Sequence, residues 1–254
     1  MTRLLAVLYG LICYAIFLVT FLYAIGFVGD FCVPRSVDNP VRGSGLGQSV
    51  VIDAILLGIF AVQHSVMARR GFKAWWAKIV PPVVERSTFV LAADVCLFLL
   101  CWFWQPIEGT VWSVTDPAAV FALRAVFWAG WGVLLLASFL INHFELFGLY
   151  QPYVALLEKK LPEQEFRTPG LYKLVRHPIY VGFLMGMWAA PEMSLGHLLF
   201  AAGGTGYILV GIWFEERDLI AHFGDRYRAY RHQVGMLFPR PARRTSSGPA
   251  PKQG

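Results

Sequence analysis

Four apolar runs of about 18 to 25 residues divide the chain, and a fifth run is much longer. The four lie at about 4–28, 48–68, 87–104 and 121–141, and the fifth covers 179–213. A helix needs roughly 20 apolar residues to cross the hydrocarbon layer of a bilayer. Each of the four runs therefore predicts one membrane-spanning helix, whereas the fifth is long enough for two helices joined by a turn. The sequence AAPEMS at 189–194, with a proline and a carboxylate at its midpoint, predicts that turn.

Basic residues are distributed unevenly among the segments that connect these runs. Loop 69–86 holds five of them and loop 105–120 holds none, whereas loop 142–178 holds five and the segment after 213 holds eight. Lys and Arg in short loops mark the cytoplasmic side of a membrane. This pattern predicts that both termini lie in the cytoplasm, as do loops 69–86 and 142–178. We expect an integral protein of a bacterial inner membrane.

The composition supports this interpretation. Hydrophobic residues make up 57% of the 254 residues and charged residues only 15%, whereas soluble domains carry about 25% charged residues. The net charge of +6 is spread over loops that flank the membrane, so we expect contact with membrane lipids and no nucleic-acid partner. No feature indicates a protein partner. The four cysteines lack the spacing of metal ligands, so neither a disulfide framework nor a metal site is expected.

The expected fold is an all-α bundle of five to six membrane segments, of which the last two form a helical hairpin. We predict a single membrane domain at 1–238, with the N-terminal spans at 1–141 and the hairpin region at 142–238. A cytoplasmic amphipathic helix, interrupted at Gly224, is predicted at 214–234 from the helical spacing of its apolar residues. The tail at 239–254 has little apolar surface to bury and is predicted to be disordered.

The sequence RHPIY marks the start of the last apolar run. Pro178 is favoured in the first turn of a helix, and His177 is placed to cap that helix. The free N–H groups of a helix start attract an anion, and Arg176 adds a guanidinium suited to a carboxylate. Tyr180 faces the same entrance, and Gly182 begins a spacing of small residues that lets helices approach closely.

The sequence WFEERD marks the end of the same run. Glu215 and Glu216 lie within a turn of the apolar residues, where an unpaired charge costs roughly 2.5–3.5 kcal/mol. Because the two helices of a hairpin are antiparallel, RHPIY and WFEERD should meet at one membrane face. Their shared pocket would include Trp213, and its groups suit a ligand with a carboxylate, an amine, a diol, an adenine and a sulfonium. S-adenosylmethionine has all of these groups.

These motifs carry a resemblance to a known family. The order of these motifs resembles membrane methyltransferases of the isoprenylcysteine carboxyl methyltransferase type. The shared pattern is RHPxYxG, then about thirty apolar residues, then EE, and then L, FG, Y and Y. The matching residues are Arg176, His177, Pro178, Tyr180, Gly182, Glu215, Glu216, Leu219, Phe223, Gly224, Tyr227 and Tyr230. The stretches FAVQHSVMAR (60–69), NHFELFGLYQ (142–151) and FRTPGLYKLVRHPIYVG (166–182) are similar to the methanethiol S-methyltransferase branch.

The resemblance implies that the hairpin and the following helix, including Tyr227, bind S-adenosylmethionine. It also implies methyl transfer to methanethiol, a small thiol, with dimethyl sulfide as the product. Two alternatives stay open at this point. The acceptor could be a prenylcysteine carboxylate or another lipid-soluble group, or the chain could be a non-catalytic protein similar to nurim.

Thiol methylation calls for a group that accepts the thiol proton, because a free thiol is mostly protonated at neutral pH. Three candidates lie near the expected cytoplasmic face, namely His64, His143 and Glu145. We place His64 first, with His143 or Glu145 next. A lone histidine on an apolar helix is also often a core residue bonded to the backbone.

Overall fold

Helices form nearly all of the regular structure in the computed structural model, which describes residues 2–38, 45–162 and 165–240. A turn of 3₁₀ helix at Gly170–Lys173 lies shortly before the helix that begins at Pro178. The elements, in chain order, are α1 Arg3–Gly29, α2 Leu46–Met67, α3 Arg70–Trp76, α4 Pro82–Phe103, β1 Thr110–Ser113, α5 Pro117–Ile141, α6 His143–Leu146, α7 Tyr150–Leu156, α8 Pro178–Trp188, β2 Glu192–Ser194, α9 Leu195–Phe223 and α10 Asp225–Gln233. The predicted disorder at 239–254 falls almost entirely outside the described residues.

Within the described ranges, four helices, α1, α2, α5 and α9, are long and apolar enough to span a membrane. Many of their large apolar side chains are exposed, which fits a surface that faces lipid rather than water. The predicted membrane helix bundle is thereby confirmed. Helix α4 has 22 residues but also carries Glu85, Arg86 and Asp94, and it is not among the four. The number of crossings stays a prediction.

The last apolar run forms a helical hairpin with legs of unequal length. Helix α8 has 11 residues and is only about 16 Å long at 1.5 Å per residue, whereas α9 has 29 residues. Helix α9 ends at Phe223 and α10 begins at Asp225, so an interruption lies at Gly224 as predicted, whereas residues 214–223 belong to α9. That the segment after the hairpin is an amphipathic helix on the cytoplasmic surface stays a prediction. Gly224 has φ +57° and ψ −127°, a backbone conformation that is open almost only to glycine.

Small residues bring α8 against α5. A Cβ atom added at Gly182 would lie 2.5 Å from the carbonyl oxygen of Gly130 and 2.8 Å from the Cβ atom of Leu134. One added at Gly186 would lie 2.8 Å from the ring of Trp131. The small residues at Gly182 and Gly186 therefore allow α8 to pack closely against α5. This packing sets the position of α8 in the bundle.

A small antiparallel sheet joins two connections at the far end of the hairpin. Strand β1 pairs with β2, with Thr110 opposite Ser194. In the first turn of α9, directly after β2, the buried His197 ring contacts Asp38 Oδ2 at 2.9 Å and the carbonyl oxygen of Met187 at 2.9 Å. These contacts hold the turn between α8 and α9. The all-α prediction missed the two strands, which are 3 and 4 residues long and about 80 residues apart in the chain.

Candidate active site

The start of α8 and the end of α9 meet, as their antiparallel arrangement predicts. Arg176 Nε donates a hydrogen bond to Glu216 Oε1 over 2.7 Å, and His177 Nε2 lies 3.2 Å from the same oxygen. One turn into α8, the Tyr180 hydroxyl donates to Glu215 Oε2 over 3.0 Å. His177 Nδ1 also lies 3.7 Å from Glu215 Oε2, so RHPIY and WFEERD form one connected polar cluster.

Arg176 and His177 are directed at Glu216 rather than at open space. Their side chains are only 6% and 3% exposed, and that of Glu216 is 12% exposed. Arg176 Nη1 also donates to the carbonyl oxygens of Arg231 and Val234, at 3.2 and 2.6 Å. His177 occupies the position before α8, but its ring makes no capping bond. A carboxylate at this depth needs partners, and these two residues supply them.

Backbone hydrogen bonds tie the segment after α10 to the start of α8. Arg176 N donates to Gly235 O over 2.8 Å, and His177 N donates to Met236 O over 3.2 Å. Val175 and Gly235 form a parallel bridge. These bonds position α10 beside the polar cluster, so the two ends of the hairpin and α10 enclose a common space.

A cavity of about 510 Å³ occupies that space, within the range of roughly 300–1,000 Å³ that is typical of ligand pockets. Carboxylate, guanidinium and amide groups share its wall with aromatic rings and aliphatic side chains. The lining residues are Leu140, Ile141, Asn142, Glu145, Pro162, Glu165, Phe166, Arg167, Thr168, Pro169, Tyr172, Arg176, Glu215, Leu219, Phe223, Tyr227 and Tyr230.

Aromatic rings form one wall of this cavity. The Phe166 ring lies 5.3 Å from Phe223, 5.9 Å from Tyr227 and 5.4 Å from Tyr230, measured between centroids. Burial raises the pKa of Tyr230 to about 12 and also raises the pKa of Tyr227, so both phenols stay protonated. Tyr230 donates to the carbonyl oxygen of Tyr172. The Tyr227 hydroxyl is buried without a hydrogen-bond partner among the described residues and is free to donate to a ligand.

The remaining cofactor-binding residues predicted from sequence lie outside this cavity. Pro178 is buried at the first position of α8, and Gly182 lies at the contact with α5. Trp213 is 58% exposed and lies on a different face of α9 from Glu215. Tyr180 does not line the cavity itself, but it reaches Glu215, which does.

The three candidates for the proton acceptor have different surroundings. His143 Nε2 lies 2.8 Å from the Tyr14 hydroxyl and Nδ1 lies 2.8 Å from Ser138 Oγ. Because Ser138 Oγ donates its proton to Leu135 O, it accepts from Nδ1, and Nε2 accepts from Tyr14. Burial also lowers the pKa of His143. Both ring nitrogens of this neutral histidine are therefore already engaged.

Glu145 and His64 are less constrained. Glu145 lines the cavity, and its Oε2 accepts from Asn142 Nδ2 over 2.8 Å. His64 lies outside the cavity, with its ring centroid 5.6 Å from Phe60, 4.9 Å from Phe89 and 6.3 Å from Tyr207. Its Nδ1 atom is buried and has no hydrogen-bond partner within the described ranges. Of the two histidines, only His64 has a ring nitrogen available to accept a proton.

Several groups in the cavity or near it were not predicted from the sequence. Phe166 and Arg167 come from the connection between α7 and α8, whose path no periodic pattern predicts. Both residues belong to the stretch FRTPG at 166–170, which resembles the family but has no periodicity that predicts where its side chains lie. Arg86, one of the basic residues predicted to lie in loop 69–86, belongs instead to the first turns of α4; its Nε donates to Leu146 O over 2.7 Å and its guanidinium lies 4.8 Å from the Phe89 ring. This cation therefore shares Phe89 with His64.

Comparison with curated proteins finds relatives that match almost the whole chain. A protein of Mycobacterium tuberculosis named methanethiol S-methyltransferase is 55% identical over 96% of this chain and 100% of its own length. Methanethiol S-methyltransferase 2 of Bradyrhizobium diazoefficiens is 48% identical, with 98% of this chain and 96% of the relative covered. Nurim of Rattus norvegicus is more distant, at 32% identity over 67% of this chain and 68% of its own length.

No protein-family profile matches the chain, and no solved structure matches it. The family assignment therefore depends on the curated relatives, whose identity of about half extends over both the membrane helices and the cavity region. The chain belongs to the methanethiol S-methyltransferase family.

Proposed function

We propose that this protein transfers a methyl group from S-adenosylmethionine to methanethiol and thereby forms dimethyl sulfide. The observation that carries this proposal is the cavity at the junction of α8, α9 and α10 in a chain whose near full-length relatives are named for this reaction. We also propose that the protein resides in a bacterial inner membrane with the cavity open to the cytoplasm. The basic loops support that orientation.

The chemistry of the lining residues fits S-adenosylmethionine. Glu215 offers a carboxylate to the amine or the ribose diol, and its side chain is 45% exposed. The unpartnered Tyr227 hydroxyl offers a donor. The rings around Phe166 offer stacking faces to the adenine. Arg176, which the sequence analysis assigned to the ligand carboxylate, acts mainly through Glu216 and holds the wall of the cavity in place.

When bound, S-adenosylmethionine would supply a methyl carbon on a positively charged sulfur: a thiolate that attacks this carbon forms the new C–S bond while the bond to the sulfonium breaks, and S-adenosylhomocysteine leaves as a neutral thioether. The chain's part is to exclude water, to position the thiol and to take its proton. We assign the proton to His64 Nδ1, since this buried nitrogen has no other partner in the described residues. The aromatic rings around His64 suit a small apolar thiol, because sulfur contacts aromatic rings favourably.

A headspace assay tests this proposal. Purified protein with S-adenosylmethionine and methanethiol should release dimethyl sulfide, as measured by gas chromatography. If the same preparation instead methylates a farnesylcysteine analogue and releases no dimethyl sulfide, the acceptor assignment is wrong. A preparation that fails to bind S-adenosylmethionine in calorimetry would favour a non-catalytic role like the one considered for nurim.

A further inference from the structure

A second cavity, of about 250 Å³, lies on another face of α9. Trp213, Glu216, Arg217 and Ile220 line it from α9, and Arg231 closes it from α10. The spacing of Trp213, Arg217 and Ile220 places them on one stripe of the helix. Glu216 separates this cavity from the candidate active site, because Arg176 and His177 bind its Oε1 atom while its Oε2 atom faces Arg231.

The charges of this second cavity leave it positive. Arg231 Nη1 lies 3.7 Å from Glu216 Oε2, and its side chain is 45% exposed. Arg217 places its guanidinium carbon 5.6 Å from the centre of the Trp213 ring. Among the described residues that line this cavity, Glu216 is the only one with a carboxylate, and Arg176 already neutralises it. Two guanidinium groups thus retain donors for an anion.

Apolar residues continue this surface along α9 toward the middle of the helix. Leu209 and Val210 are both exposed and precede the exposed Trp213 by about one turn. Helix α9 is long and apolar enough to span a membrane, and Trp is typical of the membrane interface. The surface therefore changes from aliphatic to aromatic to cationic, in the order in which a bilayer changes from acyl chain to phosphate.

We propose that this second cavity, together with the apolar surface beside it, forms a groove that binds an anionic phospholipid. The headgroup phosphate lies between Arg217 and Arg231. From there an acyl chain passes the Trp213 ring and then runs along Val210 and Leu209. Charge complementarity and the adjoining apolar stripe favour a lipid over a soluble phosphate, which would leave that stripe unused. The proposal gives Trp213 a role in lipid binding in place of the cofactor role predicted from sequence, and it is independent of the methyl acceptor.

Thermal unfolding in a neutral detergent tests this site. Phosphatidylglycerol added to the full-length protein should raise the Tm, whereas phosphatidylcholine and inorganic phosphate should not. Arg217→Gln should lose at least half of the shift caused by phosphatidylglycerol. Arg226→Gln is a matched control, because Arg226 is an exposed arginine of α10 that does not line the groove, and it should keep the full shift.

Three results would overturn the proposal. They are an undiminished shift in Arg217→Gln, an equal shift with phosphatidylcholine, and an equal shift with inorganic phosphate. Turnover of methanethiol in detergent serves as the folding control, because Arg217 does not line the candidate active site. Both variants should match the wild-type rate. A second substitution, Arg231→Gln, should reduce the shift in the same direction.

Discussion

Replacing Glu216 by glutamine should destabilise the protein strongly, because it removes the anion that Arg176 and His177 share. Breaking a buried ion pair from one side costs about 3–5 kcal/mol. The Arg176 guanidinium keeps two backbone carbonyl acceptors after the substitution, so we expect the lower end, about 3 kcal/mol. For a chain of this size, 1 kcal/mol corresponds to about 2–4 °C in Tm. Glu216→Gln should therefore lower the Tm by about 6–12 °C, as measured by tryptophan fluorescence in detergent.

Glu215→Gln is the matched control, since it makes the same chemical change one residue away. The Glu215 side chain is half exposed, accepts a hydrogen bond from Tyr180 and lies 3.7 Å from His177 Nδ1. Glutamine can still accept that bond, so the loss should stay below about 1 kcal/mol. In the double variant Arg176→Met with Glu216→Gln, the loss should be smaller than the sum of the two single losses. A Tm for Glu216→Gln close to wild type, or an equal loss in Glu215→Gln, would refute the account of the buried cluster.

Three further substitutions separate binding, turnover and packing. Tyr227→Phe should weaken S-adenosylmethionine binding about 2- to 12-fold in calorimetry, the equivalent of one hydrogen bond, without lowering the Tm; unchanged affinity would contradict this. His64→Gln should reduce dimethyl sulfide formation by about 10²- to 10⁴-fold while cofactor affinity stays the same, and normal turnover would exclude His64 as the base. Gly182→Ala should lower stability by about 1–3 kcal/mol, whereas Gly132→Ala, which meets open space, should not; equal Tm values would argue against close packing of α5 and α8.

The lengths of the apolar runs predicted the helices well, because each helix must bury or expose a continuous apolar surface. Where a predicted helix boundary or element differs from the structure, the residues at that place explain the difference. Helix α4 begins at Pro82 rather than near 87, because proline is favoured in a first helical turn. The strands of β1 and β2 were missed, since pairing between Thr110 and Ser194 leaves no periodic pattern in either short segment.

The meeting of RHPxY and EE was predictable for a geometric reason, namely that the two ends of a helical hairpin lie on the same side. The direction in which each side chain points could not be predicted from the sequence. Whether Arg176 faces a ligand or Glu216 depends on the depth of Glu216 and on the carbonyl groups of Arg231 and Val234, which come from a segment about 55 residues later in the chain. The aromatic wall around Phe166 depends in the same way on a connection without periodicity.

The most direct test of the central claim is a calorimetric titration of S-adenosylmethionine into the wild type and two glutamate variants. Glu215 lies in the cavity, whereas Glu192 is exposed in β2, about 30 Å away along α9 at 1.5 Å per residue. Our account predicts that wild type and Glu192→Gln bind with the same Kd and that Glu215→Gln binds at least tenfold more weakly. Equal affinity in all three proteins would contradict the assignment of this cavity to the methyl donor.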